Sequence, residues 1–290
     1  MKTIVVATDF SERSDRAIQR AKLLARDFDS KLYLVHVVDN DQAKEIVLAE
    51  RDVSTQLLEK LTSTLQEIDG LNCEFRVVLD NPFSGITKTA NDLNADLIVI
   101  GPHRRQILKN ILVGTTAERT IRTAGRPVLT ANGVPAGSYR RAVVATDLSA
   151  YSKTMILAAK SIGLLDQLNI SLLHVFSAPG TALMSRASLS VEEKHSYIAG
   201  ERKRASEELA SFIEGINIEG LSTILKPDTA DIAETIRETA IELSAELIVV
   251  GTCGRSKVAR VLMGSVTEGV LRSSDRDVLA VPPLQNGIES

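Results

Sequence analysis

The chain has no tryptophan, and aromatic residues make up only 3 % of its 290 positions. Base-stacking platforms need such rings, so that mode of nucleic-acid binding has little to work with. No positive surplus compensates. Lys and Arg number 34 against 37 Asp and Glu, a formal net charge of −3, whereas binding to a phosphate backbone rests on basic excess. DNA is not an expected partner. Cysteine occurs twice, at Cys73 and Cys253, too few for a disulfide framework. No apolar run reaches the roughly 18 residues that would span a bilayer. The apolar start ends early, at Asp9, unlike a secretory leader. These absences lead us to expect a cytoplasmic protein without a membrane span. The chain also lacks a Ser-His-Asp order, a paired-carboxylate motif and a cysteine–histidine metal spacing, so no catalytic residue and no metal site is expected. What is present, 44 % hydrophobic and 24 % charged residues, is an ordinary globular composition.

The sequence repeats itself. Residues 5–9 read Val-Val-Ala-Thr-Asp, and so do residues 143–147, with Ser11 and Ser149 two places on. Further along, 95–101 (Ala-Asp-Leu-Ile-Val-Ile-Gly) matches 245–251 (Ala-Glu-Leu-Ile-Val-Val-Gly). A period near half the chain is a duplicated domain rather than a solenoid. The expected domains are 1–132 and 139–285, joined by a short linker containing Gly133, Pro135 and Gly137.

Each copy alternates strand and helix signals. In the first, Ile4–Thr8, Leu32–Val38, Phe75–Leu79, Leu97–Ile100 and Val128–Thr130 read as strands. Helical spacing fills 13–29 and 43–68. The second of these places Ile46, Val53, Leu57, Leu61, Leu65 and Ile68 on one face, expected to be the buried one. Asn81-Pro82 predicts a capped helix start, and Ser190 with Glu193 predicts a capping box. Strands such as Leu97–Ile100 and Leu247–Val250 are apolar without alternation, as strands covered on both faces are. The expected class is α/β: two tandem five-stranded parallel sheets, Rossmann-like, wrapped by helices. Ligands of such sheets sit at the carboxyl ends of strands, where strand order reverses.

One stretch there carries chemistry. Gly251-Thr252-Cys253-Gly254 follows the fourth strand of the second copy, and after nine residues Gly264-Ser265-Val266-Thr267 opens a helix. Glycines let a backbone approach a ligand closely, and a helix start directs free N–H groups and partial positive charge outward. The pattern suits a phosphate. Read alone, it also fits an ordinary strand-to-helix connection capped by Gly264-Ser265. It is neither a Walker A loop nor the dinucleotide fingerprint, since Thr146-Asp147 follows the first strand without a glycine run. Asp9 and Asp147 likewise fit a ligand contact or a turn carboxylate. His36 and His174 read as buried, hydrogen-bonded residues.

Gly-x₂-Gly-x₉-Gly-Ser after a fourth strand, with Val-Ala-Thr-Asp ending a first, resembles the universal stress protein family, as two tandem copies over nearly the whole chain. The resemblance implies an intramolecular pseudo-dimer, with Val128–Thr130 paired to Val278–Ala280. It implies ATP as the ligand. Ala145, Thr146 and Asp147 would face adenine and ribose, and Val175 would pack on the base. Gly251, Thr252, Gly254, Gly264, Ser265, Val266 and Thr267 would surround ribose and phosphates. The first copy departs from the pattern. It keeps Thr8, Asp9, Val37, Gly101, Gly114 and Thr115 but reads Gly101-Pro102-His103-Arg104, with Arg104 in place of the second glycine. That predicts a degenerate site, empty or holding another ligand. The implied function is an ATP-binding regulatory protein of stress response with an unidentified protein partner, alone or as a homo-oligomer. Two alternatives stand beside it. One is a slow ATPase or autophosphorylating protein, which would need a water-positioning group and Mg²⁺. The other is a scaffold or ligand carrier in which nucleotide is incidental and segment 177–200 meets the partner.

Overall fold

The computed structural model describes residues 1–102, 116–166, 168–178, 190–216, 218, 220–228, 231–253 and 263–282. The first copy runs β1 (Thr3–Ala7), α1 (Glu12–Phe28), β2 (Lys31–Val38), α2 (Lys44–Glu67), β3 (Cys73–Leu79), α3 (Pro82–Asp92), β4 (Leu97–Ile100), α4 (Thr116–Thr123) and β5 (Val128–Thr130). The second runs β6 (Arg141–Thr146), α5 (Ala150–Ser161), β7 (Asn169–Phe176), α6 (Val191–Ile213), β8 (Leu221–Pro227), α7 (Ile232–Glu242), β9 (Leu247–Gly251), α8 (Ser265–Ser273) and β10 (Asp277–Val281).

All ten strands form one sheet in the order β3-β2-β1-β4-β5-β10-β9-β6-β7-β8. Neighbours are parallel except at the centre, where β5 and β10 pair antiparallel with Leu129 opposite Leu279. This is the expected pairing of Val128–Thr130 with Val278–Ala280. Within each copy the chain builds outward from its first strand, then returns to that strand's other side. The reversal falls between β1 and β4, and between β6 and β9, which fixes the crevice where a ligand can enter.

Alternate residues of each strand feed two apolar layers. Ile4 and Val6 join Leu129, Leu279 and Val281 on the face of α1, α2, α5 and α6. Val5 joins Val128, Val278 and Ala280 on the face of α3, α4, α7 and α8. Both layers run across the two copies without a break. The strand residues are fully enclosed, and enclosing one such side chain stabilises the fold by about 1.5–3 kcal/mol.

The capping box is present, with Ser190 Oγ accepting from Glu193 N and Glu193 reaching back to Ser190 N. Pro82 opens α3, though the Asn81 side chain does not cap it. Helix α2 corrects the sequence reading. Its buried face is Val47, Ser54, Leu58, Thr62 and Leu65. Of the apolar set assigned to the core only Leu65 is buried, whereas Ile46, Val53, Leu57 and Ile68 are 44–78 % exposed. Two polar residues, Ser54 and Thr62, stand on the inner face, so hydrophobicity alone selected a stripe rotated toward solvent.

Candidate functional site

The turns that follow β1 and β6 are built alike. Ser11 and Ser149 cap α1 and α5, accepting from Ser14 N and Ser152 N. Asp9 Oδ1 accepts from Ser11 N at 3.1 Å and Ser11 Oγ at 2.5 Å. Asp147 Oδ1 accepts from Ser149 N at 3.0 Å and from the Ser149 and Ser152 hydroxyls at 2.5 Å each. Between Asp and Ser, Phe10 and Leu148 take left-handed φ of 58° and 61°. That conformation costs a non-glycine residue roughly 1–2 kcal/mol, which the Asp–Ser bonds offset. Thr8 and Thr146 turn their hydroxyls inward, each accepting from the N–H two residues on at 3.0 Å. The two histidines are buried, with His36 Nδ1 on Thr8 O at 2.8 Å and His174 Nδ1 on Thr146 O at 3.0 Å. A carbonyl can only accept, so each ring holds its proton on Nδ1.

The copies differ in what surrounds the carboxylate. Asp147 is half-buried, whereas Asp9 is exposed, and Arg13 stands 3.9 Å from it. Burial acts to raise the Asp9 pKa. Hydrogen bonds from Ser11 and Ser14 and the Arg13 charge outweigh it and hold the carboxyl below its usual range.

The end of β9 is fastened on three sides. Thr252 N donates to Val281 O at the end of β10, and Gly264 N donates to Thr252 O, both at 3.0 Å. Thr267 Oγ1, from the first turn of α8, donates to Gly251 O at 2.5 Å. Tyr151, from the first turn of α5, places its hydroxyl 3.0 Å from Thr252 Oγ1. Burial pushes the Tyr151 phenol well above its usual range, so it stays protonated. The structure thus brings Gly251, Thr252, Gly264 and Thr267 together, with Tyr151, which the sequence reading missed. Nothing in the local pattern marks a helix-start tyrosine as reaching the glycine turn. Gly264 caps α8 without a side chain, so no side-chain acceptor serves the first-turn N–H groups from the cap position. Ser265 is exposed there. Ala145, Val175 and Val266 are partly buried against one apolar layer, that of α7 and α8, and β6 brings Asp147 to the same strand ends.

At the matching positions of the first copy the fastening groups are absent. Tyr151 corresponds to Arg13, Thr252 to Pro102 and Thr267 to Ala117. The glycine before them is kept for packing: a Cβ on Gly101 would lie 2.8 Å from Arg13 O, and one on Gly251 2.9 Å from the Tyr151 ring. Nearby, a Cβ on Gly269 of α8 would lie 2.7 Å from Ala233 Cβ, whereas at the matching pair Arg119 stacks 3.8 Å over Phe83. Ala7 and Val37 repeat the places of Ala145 and Val175. Gly254, His103, Arg104, Gly114 and Thr115 lie outside the described residues, as does 179–189 within the segment 177–200.

Among the described residues, no group of three or more His, Cys, Asp or Glu could hold a metal ion. Nor is any helix among them long and apolar enough to cross a membrane.

A mostly parallel sheet with helices on both faces, and a glycine turn and a helix start at the strand-order reversal, defines the doubly wound, Rossmann-like class of α/β proteins. The profile of the universal stress protein family matches residues 1–132 and 138–282. The chain belongs to that family, with two copies in tandem. Universal stress protein MJ0577 of Methanocaldococcus jannaschii is 27 % identical over 150 residues, spanning 44 % of this chain and 93 % of its own. Universal stress protein MJ0531 of the same organism is 31 % identical over 137 residues, spanning 44 % and 80 %. A universal stress protein from Archaeoglobus fulgidus has a solved structure that aligns over 97 % of this chain and 98 % of its own. Its TM-score is 0.69 and its identity 19 %, so it shares the fold over the full length.

Proposed function

We propose that this chain is a regulatory nucleotide-binding protein of stress adaptation that holds ATP in its second copy. The observation that carries the reading is the contrast at the glycine turn. The hydroxyls of Tyr151, Thr252 and Thr267 fasten Gly251–Thr252 between α5 and α8, and all three are missing at Arg13, Pro102 and Ala117. A preorganised turn beside a side-chain-free helix start suits phosphates, because N–H groups are held in place before the anion arrives. In this reading Gly251, Thr252, Gly254 and Gly264 approach ribose and phosphates. Ser265, Val266 and Thr267 present the helix start. Ala145, Thr146, Asp147 and Val175 border the base and ribose. Mg²⁺ travels with the triphosphate rather than on protein ligands. The units are 1–132 and 139–285. The first, with Thr8, Asp9, Val37, Gly101, His103, Arg104, Gly114 and Thr115, is an altered site. ATP regulates by binding one state of the protein or its assembly better than another.

The test starts from protein purified without added nucleotide. Small molecules released on denaturation are identified and counted by mass spectrometry, and ATP is then titrated by calorimetry. The expected result is one adenine nucleotide per chain. Ser265→Glu should abolish it without lowering the melting temperature, since an acidic first turn favours the helix while repelling phosphate. Undiminished binding in that variant would remove α8 from the site. No nucleotide found and none taken up would reject the reading. Phosphate release assayed on the same sample separates binding from turnover.

A further inference from the structure

Strands β5 and β10 hold equivalent places in their copies, and they pair antiparallel about equivalent residues, Leu129 and Leu279. Such a ladder has local twofold pseudosymmetry. The same backbone bonds would form between the β5 strands of two chains, or between two β10 strands. The ladder alone does not choose among these partners.

The side chains beside it do. Immediately before the paired residues the second copy carries Asp277, where the first carries Pro127. Asp277 is 1 % exposed. Its Oδ2 accepts from Arg20 Nε at 2.8 Å and Tyr139 OH at 2.6 Å, and its Oδ1 accepts from Gly133 N at 2.8 Å. Arg20 belongs to α1 of the first copy and is 4 % exposed. It also donates to Gly137 O at 2.7 Å and lies 4.2 Å from the centre of the Tyr139 ring. In α5 the position equivalent to Arg20 is Ala158. The first copy therefore holds only the base of this pair, and the second only the acid.

We propose that Arg20 and Asp277 are a pairing key, a surface that accepts the unlike copy of this chain and rejects a like one. Joining β10 to β10 would set each Asp277 against Ala158. Joining β5 to β5 would set each Arg20 against Pro127. Either arrangement buries two like charges without an opposite charge beside them, and an uncompensated buried charge is strongly destabilising. Selection thus works by penalising the wrong partner as well as by rewarding the right one. The connecting segment closes the key from the same side through Gly133, Gly137 and Tyr139, so the unlike partner is the chain's own other half.

The test is refolding of the full chain from denaturant, from micromolar to millimolar concentration, with mass read by light scattering after size exclusion. Arg20→Ala/Asp277→Pro makes the two copies alike at the junction. Arg20→Met/Asp277→Asn removes only the charges and keeps the volume, so a packing failure in the first variant leaves the second to decide. Wild type should return at its starting mass at every concentration. The variants should add species of two or more chains, in a fraction that rises with concentration. If the charge-neutral variant refolds like wild type across the whole range, or wild type itself returns as mixed species, the key does not select the partner and the proposal fails.

Discussion

Asp9 and Asp147 occupy the same turn in different company, and their chemistry diverges accordingly. Each braces a capping serine through one oxygen, so the turn role is common to both copies. Replacing Ser11 or Ser149 by Ala should lower stability by about 1 kcal/mol, read from urea unfolding, in line with other helix caps. The depressed Asp9 pKa means that ionised Asp9 favours the folded state above the ordinary carboxylate range. That contribution is lost as pH falls through the folded value. Asp9→Asn should therefore flatten part of the acid limb of stability against pH, and leave the neutral region comparatively unchanged in shape. Among the thiols, burial pushes Cys73 up to about 11. Only about one thiol in a thousand is ionised three units below its pKa. Iodoacetamide at pH 8 should modify Cys253 in the native protein and Cys73 only after unfolding, as peptide mapping would report.

At the scale of elements, legibility followed how local the cause was. The repeated Val-Val-Ala-Thr-Asp, the non-alternating strands and the capping box at Ser190 are short-range signals, and the structure has the corresponding turns, strands and helix start. Helix α2 misled because its inner face includes Ser54 and Thr62 while Val53 and Leu57 look outward. Leu58→Ala should cost about 2–5 kcal/mol, as buried leucines do. Val53→Ser should stay within about 0.5 kcal/mol of wild type, as an exposed position does. Equal losses at both sites in denaturant titrations would contradict the assignment of faces. Gly101 and Gly251 read as ligand-approach glycines, and the structure gives them a second cause, close contact with the first turn of their own copy's first helix, at Arg13 of α1 and Tyr151 of α5. Packing therefore accounts for a glycine surviving in the altered copy. Tyr151 stayed invisible because its partner Thr252 is 101 residues away.

For the whole molecule, the shared sheet and the two unbroken apolar layers tie the copies into one cooperative unit. Chemical unfolding followed by circular dichroism and by tyrosine fluorescence should give one coincident transition. Leu129→Ala, at a fully enclosed position of the central pair, should move that single midpoint rather than split it. The pairing of the end strands followed from resemblance, but the buried Arg20–Asp277 contact spans 257 residues. Charge type at each position was legible; their meeting was not.

The lone antiparallel junction at β5–β10 also sets the direction in which the copies face. Strands on its two sides run oppositely, so their carboxyl ends lie at opposite margins of the sheet. The two crevices open away from each other. No residue bordering one mouth borders the other, and the difference between Pro102 and Thr252 leaves the walls of each mouth to its own copy. A duplicated protein arranged in this way can retire or retask one opening while the other keeps its original trade.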